Sequence, residues 1–126
     1  MELLKIIFER AGALNGYWNL YIAVAFGVLT LMASGKSFTK HRSTKLFLTL
    51  AFICFALSNL QVLYDTNVQR GILISLAVPP YVEAATHAGP PGHWLLFLFH
   101  GALDIIVVLC IWLVPWHSDS GSEDRA

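Results

Sequence analysis

Residues 94–114 read WLLFLFHGALDIIVVLCIWLV and contain a single charged side chain, Asp104. About 20 consecutive apolar residues are enough for a helix to cross the hydrocarbon core of a bilayer. Trp94 stands at one end of the stretch and Trp112 near the other, where amphipathic rings favour the membrane interfaces. The stretch therefore predicts a transmembrane helix, which Pro115 helps to end.

Two earlier segments have the same character. Residues 17–34 and residues 46–63 contain no Asp, Glu, Lys or Arg, and Tyr17 and Trp18 open the first of them. Gly35 follows that segment as a natural helix stop. Of the 126 residues, 56% are hydrophobic and 13% are charged, whereas a soluble domain has about 25% charged residues. The sequence predicts an all-α membrane protein with three transmembrane helices, in one domain spanning residues 15–116.

Residues 71–88 are ambiguous. The apolar run 72–78 is too short to cross a membrane alone, and Pro79 and Pro80 interrupt it. Proline frees backbone groups that need other partners inside a membrane. The segment is an interfacial helix, a re-entrant hairpin or a fourth spanning helix, and we favour the two non-spanning interpretations. Residues 89–92, GPPG, predict a turn after it.

The two ends of the chain differ from this apolar middle. Apolar and charged residues alternate at helical spacing in residues 1–14, which predicts an amphipathic helix at the membrane surface. Residues 117–126 are polar, and we expect a disordered tail there.

A basic loop at residues 36–45 predicts the orientation in the membrane. It contains Lys36, Lys40, Arg42 and Lys45 and no acidic residue. Short loops rich in Lys and Arg stay in the cytoplasm. We therefore expect this loop in the cytoplasm and the N-terminus outside, in what we expect to be a bacterial inner membrane. The net charge of zero gives no attraction to nucleic acid, so we expect no nucleic-acid partner.

The last helix carries the most promising chemistry. His93, His100 and Asp104 are spaced by seven and four residues, which places them on one helix face. A carboxylate near mid-bilayer is costly and normally faces a partner or water. We favour a buried, hydrogen-bonded His100–Asp104 pair that fixes helix packing. A proton or cation relay through the same pair is the functional alternative.

We expect no cofactor and no metal. Two histidines on one face of one helix cannot ligate the same haem from both sides. A zinc site needs a close cluster of ligands that the spacing does not offer.

Polar residues on the first two helices predict packing between helices. Ser58 and Gln61 share a face of the second helix, and Asn59 lies beside them. Asn19 begins a stripe of small residues on the first helix, with Ala23, Gly27 and Thr30 after it. Hydrogen bonds between membrane helices contribute about 1 kcal/mol each. We predict that Asn19, Ser58, Asn59 and Gln61 serve helix packing and that Ser58 and Gln61 complete the hydrogen bonding of Asp104.

No motif of a soluble enzyme occurs: there is no glycine-rich phosphate loop, Cys-x-x-Cys pair or nucleophile elbow. Three or four short helices leave little room for a substrate site. We therefore expect a non-enzymatic subunit or accessory in the lipid bilayer, packed as a homo-oligomer or against a larger membrane protein. The alternatives are a small oligomeric transporter or proton-conducting protein that uses His100 and Asp104, and a membrane enzyme or redox subunit with cofactor ligands from a partner chain.

Overall fold

A computed structural model of the protein describes residues 2–76 and 92–113. The described residues form three long α-helices, and a short 3-10 helix at Ser37–Lys40 joins the first two. These helices are α1 (Glu2–Ala33), α2 (Arg42–Ser75) and α3 (His93–Leu113). Each is long and apolar enough to cross a membrane, and the described residues contain no strand. The prediction of an all-α membrane protein with three transmembrane helices is confirmed.

Helices α1 and α3 run in the same direction. Trp18 of α1 packs edge to face on Phe99 of α3, with ring centroids 5.7 Å apart. One turn further along both helices, the Tyr21 hydroxyl donates a hydrogen bond to Asp104. Contacts that advance together along both chains require parallel helices.

Helix α2 runs antiparallel to α3. Near the end of α3, the Trp112 indole N–H donates to the Thr49 hydroxyl oxygen, close to the start of α2, at 3.0 Å. At the start of α3, the His93 ring lies 5.2 Å from the Tyr64 ring, late in α2. The end of α3 therefore lies beside the basic loop.

Helix α2 ends and α3 begins at the same end of the bundle, where Ser75 and His93 line one pocket. The ambiguous segment, residues 71–88, falls largely between these two helices, and its three interpretations stay predictions. Residues 71–75 continue α2, while Pro79, Pro80 and most of the predicted 89–92 turn lie outside the described residues.

The turn between α1 and α2 depends on Gly35. Its φ is 65°, a left-handed conformation that costs residues with a side chain about 1–2 kcal/mol. Helix α1 ends at Ala33, just before this glycine, as the sequence predicts. The Thr39 hydroxyl then donates to the Lys36 carbonyl at 2.7 Å. A tight turn results, with the Lys36 and Lys40 side chains exposed.

Helices α1 and α2 are longer than a bilayer requires. With 32 and 34 residues, they measure about 48 and 51 Å, against about 30 Å for the hydrocarbon core. The excess lies away from the tight turn, in residues 2–16 of α1 and 64–75 of α2, which we call the helical extension. The predicted helix at residues 1–14 is thus continuous with α1 from Glu2 onward. Its contact with a membrane surface stays a prediction, and residues 117–126 lie outside the described residues.

Candidate functional site

The buried seam between α1 and α2 positions the site. Buried residues recur along α2 at alternating spacings of three and four, which is the pattern of helices that wrap around each other: Thr49, Phe52, Ala56, Asn59, Leu63, Thr66 and Arg70. The matching face of α1 includes Leu14, Tyr21 and Ala25. Tyr21 is 1% exposed at the centre of this seam, so its hydroxyl is available only to groups inside the bundle.

Two side chains, Tyr21 of α1 and His100 of α3, contact the carboxylate of Asp104. The Tyr21 hydroxyl of α1 donates to Asp104 Oδ1 at 2.8 Å. His100, one turn before Asp104 on α3, places Nδ1 2.9 Å from Oδ2. His100 is fully buried, and the Asp104 side chain is 23% exposed. Each carboxylate oxygen of Asp104 thus has its own partner, which stabilises a group that is costly at membrane depth.

The hydrogen bonds of this cluster determine which atoms carry a hydrogen when Asp104 is ionised. An ionised Asp104 only accepts, so both Tyr21 and His100 Nδ1 must donate to it. In a neutral His100, Nε2 then carries a lone pair, and this buried atom has no hydrogen-bond partner among the described residues. The ring is held between Tyr21, at 4.2 Å, and Trp18, at 5.7 Å. The cluster can therefore fix α3 against α1, and it can also exchange a proton between Nδ1 and Oδ2.

No family model, curated protein or solved structure matches this chain. The three apolar helices are those of a small membrane protein.

His93 does not join the cluster. It stands seven residues before His100, which is about 10 Å along the helix. Its ring packs against Tyr64, and its Nδ1 lies 3.4 Å from Asn67 Nδ2. The structure therefore brings together two of the three residues predicted on this face, and His93 belongs to a separate polar contact.

The predicted polar residues of α2 divide between two faces. Asn59 is buried and donates from Nδ2 to the Tyr17 carbonyl of α1 at 3.2 Å, which links the two helices. Ser58 and Gln61 are exposed and bond within α2: Ser58 donates to the Cys54 carbonyl, and Gln61 donates to Asp65. The prediction that Ser58 and Gln61 complete Asp104 was wrong, because they lie on the outward face of α2.

Asn19 also lies on the outside of the bundle. Its side chain is exposed, as are those of Ala23 and Thr30 and the backbone at Gly27. Within one copy of the chain this stripe of α1 is exposed, although it retains the spacing of a helix-packing face.

Tyr21 is the residue that the sequence interpretation missed. It follows Tyr17 and Trp18 closely in the sequence, where aromatic rings favour the membrane interface. A usable signal is nevertheless present, because Tyr21 follows Leu14 by seven residues and precedes Ala25 by four. That spacing puts it on the buried face, and a carboxylate at membrane depth needs a donor from another helix.

Proposed function

We propose that this protein is a small, non-enzymatic membrane subunit that assembles through the outer face of α1. The observation that supports this is the exposed stripe of Asn19, Ala23, Gly27 and Thr30. Small side chains let the backbone of another membrane helix approach closely, and an amide such as Asn19 can hydrogen-bond across the contact. The partner is a second copy of the chain or a larger membrane protein.

Gly27 stands within this exposed stripe. A Cβ atom added at Gly27 would meet nothing within 4 Å, and the same holds at Gly12, Gly16, Gly71 and Gly101, so packing within one copy does not require glycine there. The support for the proposal is therefore the place of Gly27 in a stripe of small residues, where another helix can approach closely. Replacement of Gly27 by leucine therefore tests the proposal, because it should disturb assembly without disturbing the bundle.

The outer faces of the other two helices differ from each other. Cys54, Ser58 and Gln61 form a polar line on the exposed face of α2, and lipid tails offer such groups no hydrogen bonds. The exposed face of α3 carries large apolar residues, among them Leu98, Ile105 and Ile106. We assign α3 to the lipid, with protein contacts on α1 and, secondarily, on α2.

A proton-conducting role is the second candidate, and the cluster of Tyr21, Asp104 and His100 favours it. A fully buried imidazole on a carboxylate can take up and release a proton. His100 Nε2, without a partner among the described residues, would be the atom that continues the path. Proton flux into liposomes separates this role from a packing role.

We further propose a bacterial inner membrane as the location, with the basic loop in the cytoplasm and the N-terminus outside. Ser37→Cys and Ser43→Cys, in a chain with Cys54→Ser and Cys110→Ser, are expected to resist a membrane-impermeant maleimide in intact spheroplasts. Both serines are exposed, so permeabilised cells should label fully and serve as the control. Labelling of intact spheroplasts would reverse the orientation.

A further inference from the structure

The basic loop is a positively charged surface on an ordered turn. Gly35 reverses the chain with its φ of 65°, and the Thr39 hydroxyl donates to the Lys36 carbonyl at 2.7 Å. The Thr39 side chain is buried, whereas those of Lys36, Phe38 and Lys40 are exposed. The turn therefore determines which side chains of the loop face outward.

The acidic residues that the structure describes lie away from the basic loop: Glu2, Glu9, Asp65 and Asp104. Glu9 lies about 36 Å from the end of α1 at the loop, and Asp65 lies about 35 Å from the start of α2. Asp104 is held inside the bundle by two hydrogen bonds. No carboxylate of the described residues therefore lies beside the basic loop.

Trp112 indicates the level of the basic loop relative to the membrane. Its indole N–H donates to Thr49 at 3.0 Å, and Trp rings are typical of the membrane interface. Lys45 lies one helical turn further out along α2, and Arg42 lies about 10 Å further out than Thr49. The headgroup layer on each side of a bilayer is about 5–7 Å thick. We therefore expect Lys45 among the lipid headgroups and Arg42 at their outer edge.

Exposed apolar side chains accompany these charges. Phe38 stands between two lysines of the loop and is 43% exposed, and Phe47, near the start of α2, is 70% exposed. Basic and large apolar side chains occur together on helices that lie at a membrane interface, where the apolar groups contact acyl chains and anionic lipids attract the basic ones. This combination favours a lipid surface over a soluble acidic partner for the loop.

We propose that the basic loop binds the phosphate groups of anionic phospholipids in the leaflet that it meets. Lys36, Arg42 and Lys45 supply the complementary charge. The contact fixes the depth of α1 and α2 in the membrane at the end where the two helices are joined. It depends neither on assembly through the outer face of α1 nor on the side of the membrane that the loop faces.

The test is native mass spectrometry of the full chain in a mild neutral detergent, titrated with phosphatidylglycerol or phosphatidylcholine of the same acyl chains. Wild-type protein is expected to prefer phosphatidylglycerol, and the preference should fall in high salt because the charges are exposed. Each basic residue near an anionic surface contributes about a fivefold effect. Lys36→Gln combined with Arg42→Gln should therefore weaken phosphatidylglycerol binding about 25-fold and leave phosphatidylcholine binding unchanged.

Lys5→Gln combined with Arg10→Gln is the matched control. Both side chains are exposed at the opposite end of the bundle, and their removal changes the net charge by the same amount. This variant should keep the wild-type preference for phosphatidylglycerol. An equal loss in both double variants would mean that overall charge sets the preference, and it would contradict a contact at the basic loop.

The acids of the C-terminal tail are the competing counter-charge. They follow the end of α3, which lies beside the loop, and are outside the described residues: Asp119, Glu123 and Asp124. A variant with Asn, Gln and Asn at these positions is measured in parallel. If a preference for phosphatidylglycerol appears only in this variant, the tail occupies the loop and the proposal is wrong. Equal affinity of every variant and of wild type for both lipids would also overturn it.

Discussion

Asp104→Leu is expected to destabilise the bundle by about 2–4 kcal/mol, because it leaves two buried donors without their acceptor. Those donors are the Tyr21 hydroxyl, at 2.8 Å, and His100 Nδ1, at 2.9 Å. Leucine fills a similar volume and leaves no large cavity. The lower free energy of unfolding therefore measures mainly the loss of the two hydrogen bonds. Asp104→Asn should cost less, since its amide can still accept from one donor. Unfolding in mixed micelles with increasing denaturing detergent gives both free energies.

Two further variants make this prediction specific. Ile105→Leu changes the next residue, which is exposed, and should leave the stability within about 0.5 kcal/mol of wild type. Tyr21→Phe removes one donor alone. Combined with Asp104→Leu it should show a coupling free energy above about 0.5 kcal/mol, as directly interacting residues do.

Proton flux into liposomes then decides between the two roles of the cluster. If the cluster conducts, wild-type protein carries protons and both Asp104→Asn and His100→Ala abolish the flux. If wild-type flux equals that of empty liposomes, the second candidate function fails and the packing role stands. Unchanged stability and unchanged flux in Asp104→Leu would mean that Asp104 has neither role.

The transmembrane helices were predictable because their apolar runs are long and almost free of charge. Their full lengths were not. The sequence at residues 64–67 is typical of the end of a membrane span, because polar side chains follow an apolar run there: Tyr64, Asp65, Thr66 and Asn67. Helix α2 nevertheless continues through them to Ser75. Thr66 and Asn67 are buried in the helical extension, and Asn67 lies against His93 of α3. Local sequence does not show that a second helix extends alongside.

The candidate site was predictable only within one helix. The spacing of His100 and Asp104 follows from helical geometry, and the structure shows their contact. Tyr21 could not be chosen in the same way, because its contact depends on which helices become neighbours. The prediction that Ser58 and Gln61 of α2 bind Asp104 was wrong for a related reason. Spacing shows that Ser58 and Gln61 share a face, but Phe52, Ala56 and Leu63 bury the opposite face.

Gly27→Leu is expected to dissociate the assembly while leaving each bundle folded. A side chain at this position has open space within one copy but would hold a neighbouring helix away from α1. Leucine also favours helix over glycine by about 0.8 kcal/mol. Stability of the single bundle should therefore stay equal or rise as association falls, a combination that general damage to the fold cannot produce.

Ala102→Leu is the matched control, since it places the same leucine side chain at an exposed position of α3, the helix assigned to lipid. The measurement is the mass of the complex that a mild detergent extracts from membranes, determined by native mass spectrometry. Wild type and Ala102→Leu should give the same complex of several chains, and Gly27→Leu should give the single chain of 14.0 kDa. A single chain in wild type, or an unchanged complex in Gly27→Leu, would contradict assembly through the outer face of α1.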